Sequence, residues 1–172
     1  MKKVCGFYVS SMHLVAMMLP YLREGIKHEI EFETFFEYNL SNNIDNILNN
    51  LIINKEHKQK ILDINWKSNR LKKHSSIEKK LKNTIANNKE INLLISGSEE
   101  YINEVNSLLN AFFESYSAKI CDKRITIINC YEVTEFDDNI REILDVHEFI
   151  LNTSGIHKVE DIFEDYKKRV VN

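Results

Sequence analysis

Long apolar runs are missing from this chain. The longest near its start, Val15 to Leu22, contains Pro20 and is followed by Arg23 and Glu24. A helix that crosses a bilayer needs about 20 apolar residues, and no small-residue cleavage pattern follows this run. The expected location is the cytoplasm. Cysteine is scarce too: three residues, an odd number, imply no disulfide framework in an intracellular-looking chain. No pair of cysteines or histidines has zinc spacing, so no metal is expected. Glycine is scarce for the length as well. Its four residues, at 6, 25, 97 and 155, lie too far apart to form the glycine-rich loop that wraps phosphates with backbone amides. Gly-x-Ser-x-Gly is absent as well. With no catalytic motif the chain reads as a non-enzyme, and no cofactor is expected. A formal net charge of −3 gives no overall preference for nucleic acid or membrane. Repeats, low-complexity tracts and linkers are also lacking, so residues 1–172 read as one domain with a full core.

What is present alternates between two periods. Val4 to Val9 reads as a short strand, and Met12 to Ile26 as a helix with Leu14, Val15, Met18, Leu19, Leu22 and Ile26 on one face. Ser10 or Ser11 caps it, Pro20 should kink or restart it, and Gly25 suits its C-terminus. Glu29 to Tyr38 alternates strictly, with Glu29, Glu31, Glu33 and Glu37 on one face. Four glutamates predict an edge strand or one with a solvated face. Side chains on that face repeat about every 6.6–6.8 Å, which stretches any single-cation site.

Asn43 to Ile53 and Lys55 to Ile64 read as short helices, and Asp63 to Lys67 as a short strand with Trp66. Ser75 and Glu78 open a capping-box helix carrying Ile77, Leu81 and Ile85. The basic run from Lys67 to Lys82, in and before that helix, reads as a solvated face, so no nucleic-acid binding is expected. Ile91 to Ser96 and Ile125 to Cys130 are core strands. A helix with Tyr101, Val105, Leu108, Leu109, Phe112 and Tyr116 follows the first. After the second come a short acidic loop, a cap at Asp137 or Asp138, and an amphipathic helix with His147 on its apolar side. Ser154-Gly155 breaks the chain before a last helix with Val159, Ile162, Phe163 and Tyr166.

The order is close to βαβααβαβαα, which predicts a three-layer α/β fold with a mostly parallel central sheet flanked by helices. Ligands of such sheets bind beyond the carboxyl ends of the strands. Here those ends lead into Ser10, Ser11, Met12 and His13, into Ser96, Gly97 and Ser98, and into Glu132 to Asp138. The candidate ligand contacts are Tyr8, Ser10, His13, Ser96, Tyr131, Glu132, Phe136 and His147. For His147 a core histidine is the competing reading, and for His13 a capping or surface place. Ser96-Gly97-Ser98 is either a plain turn or an anion site at a helix N-terminus.

Three stretches carry a family resemblance: GFY at 6–8 with the serine-rich loop and LPYLREGI at 19–26, then TIINCYEVTEF at 126–136, then ILDVHEFI at 143–150. In order and spacing the chain resembles the MEDS domain family, the DcmR-like sensory domain of methanogens and methylotrophs. Departures from the family pattern are Glu132 in place of Asp, Glu148 in place of Pro after His147, and Val4-Cys5 in place of a histidine. The resemblance implies a RecA/KaiC-like fold without a Walker A motif. It also implies a stand-alone sensory or regulatory role in signal transduction: binding a small, partly apolar ligand and signalling through a partner protein. The alternative is a non-enzymatic interaction protein with a degenerate pocket. That protein would dock on a histidine kinase or self-associate, through the last helix and the 29–38 strand. A flat apolar patch on the last helix would favour the alternative.

Overall fold

A computed structural model describes residues 1–70, 74–133 and 138–163. In chain order the elements are β1 (Lys2–Tyr8), α1 (Ser11–Lys27), β2 (Glu31–Phe36), α2 (Ser41–Asn49), α3 (Lys55–Asp63), α4 (His74–Asn87) and β3 (Glu90–Gly97). Then come α5 (Glu99–Ser115), α6 (Ser117–Ile120), β4 (Arg124–Glu132), α7 (Asp138–Asp145), β5 (Phe149–Asn152), β6 (Gly155–Lys158) and α8 (Val159–Ile162). The strands form one sheet in the order β2-β3-β4-β1-β5-β6. All neighbouring pairs are parallel except β5 and β6, which make an antiparallel hairpin.

Strand periodicity builds two cores, one on each side of the sheet. Val4 and Tyr8 of β1, Leu94 of β3, and Ile128 and Cys130 of β4 pack with α1, α2, α3 and Trp66. Cys5 of β1, Leu93 and Ile95 of β3, and Ile127 and Tyr131 of β4 pack with α4, α5 and α7. Each central strand is largely apolar on both faces because helices cover both, with Asn92, Ser96 and Asn129 as buried polar exceptions, and the result is a three-layer α/β fold.

The first helix obeys its sequence pattern. Ser10 accepts a hydrogen bond from the His13 amide at 3.2 Å, capping α1. Pro20 does not end it: α1 runs unbroken past it to Lys27. Pro20 and Ala16 are both exposed, so water can take the carbonyl that proline leaves without a donor. Gly25 lies inside the helix rather than at its end. The ring of Phe32 occupies the place a β-carbon there would take.

Other expectations are corrected. The 63–67 segment forms no strand; it crosses the end of β2. There Asn69 donates its amide to Phe36 O at 2.8 Å, and Thr34 Oγ1 donates to Asn65 O at 2.6 Å. β2 is an edge strand, as expected, with Glu29 and Glu31 exposed, but Glu33 and, just past its end, Glu37 are buried. Ion pairs and hydrogen bonds replace the water that a buried carboxylate loses. The helix predicted to carry His147 ends at Asp145, and residues 149–158 form a hairpin instead. The expected caps at Ser75 and at Asp137 or Asp138, and Tyr166 of the last helix, lie outside the described residues and side chains. Among the described residues, no helix is long and apolar enough to cross a membrane.

Candidate functional site

β1 and β4 are neighbours in register, Phe7 opposite Tyr131 and Tyr8 opposite Glu132. Their connections leave on opposite sides. β1 leads into α1 in one core, and β4 leads toward α7, whose Ile140, Ile143 and Leu144 lie in the other. Where adjacent parallel strands send their connections to opposite faces, a crevice opens at their carboxyl ends. At those ends the two strands are tied by a bond from the Val133 amide to Tyr8 O at 2.9 Å.

On the α1 side of the crevice stand Tyr8 and Glu132. Tyr8 is buried, 2% exposed, while Glu132 is exposed. Burial first, and then the negative charge of Glu132, push the Tyr8 phenol well above its usual range; Cys130, Tyr38 and Glu37 add to the effect. It stays a neutral hydrogen-bonding group at any ordinary pH. Ser10 and His13 lie just beyond. The Val9 amide donates to His13 Nδ1 at 3.3 Å, so that ring nitrogen is an acceptor. Val9 and Met12 expose apolar surface on the same loop, at 67% and 41%.

The sheet divides the expected contacts. Tyr131 and His147 lie on the α7 side, with ring centroids 6.3 Å apart and edge to face, and Tyr131 also meets Phe7 at 6.0 Å. Burial raises the Tyr131 phenol to about 12. His147 follows α7 and leads into β5. Its Nδ1 lies 2.7 Å from Ile143 O, and burial lowers its pKa below the ordinary value. A neutral ring with Nδ1–H donating to that carbonyl satisfies both facts. Tyr131 and His147 therefore form a buried pair under α7, apart from Tyr8 and Glu132. Ser96 is 2% exposed inside β3. Phe136 lies outside the described residues.

Glu37 and Tyr38, which the sequence reading did not place there, join the rim through their effect on Tyr8; Arg70 and Tyr101 neighbour Glu37, Tyr101 within the core on the α5 side. Glu37 follows β2 and accepts the Ser98 amide at 2.7 Å, so an internal carboxylate already occupies the N-terminus of α5. Arg70 Nη1 pairs with it at 3.1 Å. Arg70 therefore has a buried partner, rather than only a place on a solvated basic face. Tyr38 is 43% exposed; slight burial, then Glu37 and Glu132, raise its phenol pKa. Burial raises Tyr101 to about 12, with Glu37 adding. The available signal was position, since Glu37 and Tyr38 directly follow the end of a strand.

The arrangement offers phenols, one exposed carboxylate, an imidazole and apolar loop surface. It suits hydrogen bonding to a small molecule. Among the described residues, no three His, Cys, Asp or Glu side chains converge to hold a metal ion. Compared with protein-family models and with curated proteins, the chain matches none.

Proposed function

We propose that this chain is a sensory or regulatory domain of the MEDS type. In this reading it binds a small, partly apolar ligand in the crevice between β1 and β4 and signals through a partner protein. The three-layer α/β fold with its parallel strands is compatible with the RecA/KaiC-like architecture this requires. One observation carries the reading: at the switch between β1 and β4, the neutral Tyr8 phenol and the Glu132 carboxylate share one face beside exposed Val9 and Met12. Such a site is mixed in character, with few polar groups and adjacent apolar surface, as small-molecule sites are. It binds rather than catalyses, and the signal leaves through contact with a partner such as a histidine kinase. A second reading, an interaction protein, is favoured by Ile162 of α8, 44% exposed, and by the edge position of β2.

Thermal unfolding against a panel of nucleotides and small apolar metabolites tests the reading, because a ligand of the folded state raises the midpoint by mass action. A shift that is lost in Tyr8→Phe and Glu132→Gln supports a ligand sensor at the crevice. No shift with any compound, together with dimerisation or capture of a kinase partner, moves the assignment to the interaction protein.

A further inference from the structure

We infer that the cavity between β2 and α4 is a binding site for a small organic ammonium ion with an apolar body. It lies away from the β1–β4 crevice, so the inference stands independently of the reading above. The cavity measures about 310 Å³, with Phe35, Ile77 and Leu81 as apolar wall and Glu33, Lys79 and Lys80 as its charged groups. That volume is at the small end of ligand sites.

Glu33 is the fixed partner. Its side chain is 5% exposed, on a strand, and Thr84 Oγ1 donates to its Oε1 at 2.5 Å. Lys80 Nζ pairs with Oε2. A carboxylate this buried requires a cation, because without one its desolvation is uncompensated. Lys80 is a weakly held cation. Its side chain is 51% exposed and sits on a flexible four-carbon stem that water solvates readily. A ligand ammonium can replace Lys80 one for one: the buried charge balance is unchanged, Lys80 moves into water, and the ligand's apolar body covers Phe35 and Leu81.

The approach favours the same charge. A second cavity, of about 620 Å³, opens on the other side of the pair. Glu29, Glu31 and Asp63 line it with Lys60, so with Glu33 and Lys80 four carboxylates face two ammonium groups. Burial, and then the charge of Glu33, hold the Glu31 carboxyl above its usual range. A negative groove concentrates cations. A carboxylate ligand could pair with Lys79 or Lys80 but would set a second negative charge beside the buried Glu33, and an alcohol could not take the place of Lys80.

The test titrates hexylammonium, hexanoate and hexanol separately into the full chain, followed by amide NMR shifts. Hexylammonium is expected to move the amides around Glu33, Phe35 and Leu81 and to bind at least about tenfold more tightly than the other two, the preference of roughly 1.4 kcal/mol that one charge-assisted contact supplies. Lys80→Met removes the internal competitor and leaves Glu33 unpaired. It is expected to bind hexylammonium about tenfold more tightly than the parent and to gain more thermal stability from it. Glu33→Gln loses the preference, and Glu114→Gln, an exposed carboxylate of α5, keeps it. The inference is overturned by equal binding of the three probes, by no tightening in Lys80→Met, by shifts that map to the β1–β4 crevice, or by no shifts at all.

Discussion

Oε2 of Glu37 lies 2.5 Å from where a β-carbon on Gly97 would stand, and the Glu37 β-carbon lies 2.7 Å away. Gly97 also has φ +155°, which side-chain-bearing residues rarely adopt. Two independent demands therefore meet at one position, and Glu37 cannot retreat without giving up the Ser98 amide. Gly97→Ala is expected to cost about 2 kcal/mol or more, from backbone strain plus overpacking. Urea unfolding measures it; a cost under about 0.5 kcal/mol, the size of an ordinary surface substitution, would show that the rim rearranges freely.

The same carboxylate separates a hydrogen bond from an ion pair. Ser98 N–H is part-buried and donates to Glu37, whereas Arg70 is 65% exposed. An exposed partner contributes little after screening, while an amide that loses a charged acceptor costs about 1–3 kcal/mol. Glu37→Ala is expected to destabilise most, Glu37→Gln less because it keeps an acceptor, and Arg70→Ala least. An Arg70→Ala loss equal to that of Glu37→Ala would make the ion pair the main support.

His147 predicts how stability depends on pH. Burial holds its folded pKa below the ordinary 6.5, against a smaller opposing effect from the Ile143 carbonyl. The folded state keeps the ring neutral while the unfolded chain takes up a proton. Its contribution is therefore fully present above the unfolded value and is lost as pH falls through 6.5 toward the lower folded value. Urea midpoints of the parent should fall over that window, and those of His147→Asn should fall less. Parallel curves for the two proteins would remove His147 as the cause.

The parts of the fold legible in sequence were those with a single period. Ile91–Ser96 and Ile125–Cys130 read as core strands because nothing but apolar burial on both faces explains continuous runs. β5 did not, because Ile143, Leu144, His147 and Ile150 continue a helical spacing straight across the true end of α7 at Asp145. The hairpin was signalled only at its turn, where Gly155 takes φ +118°. Of the site, Tyr8 and Glu132 were legible as strand-end residues. Strand alternation already set Glu132 and Tyr131 on opposite faces, but the place of Tyr8 beside Glu132 was not legible, because it depends on the β1–β4 register, which no local pattern encodes. The buried roles of Glu33 and Glu37 were hidden for a related reason. Alternation gives a face, but Lys80, Thr84 and Arg70, which satisfy that face, come from 33 or more residues away.

The cysteines offer the simplest check on the central strands. Cys5 sits in β1 with its thiol donating to Phe149 O at 3.5 Å, and burial pushes it up to about 12. Burial raises Cys130 in β4 as well, with Cys5 adding. Neither presents thiolate or an accessible sulfur at mildly alkaline pH, and thiolate is the reactive form. Cys121 is exposed. A thiol reagent should therefore label one of the three cysteines rapidly in the native protein and all of them in urea. Cys121→Ser should abolish the fast phase without changing the unfolding midpoint. Rapid native labelling at Cys5 or Cys130 would mean that β1 and β4 open far more readily than strands packed in the middle of a covered sheet should.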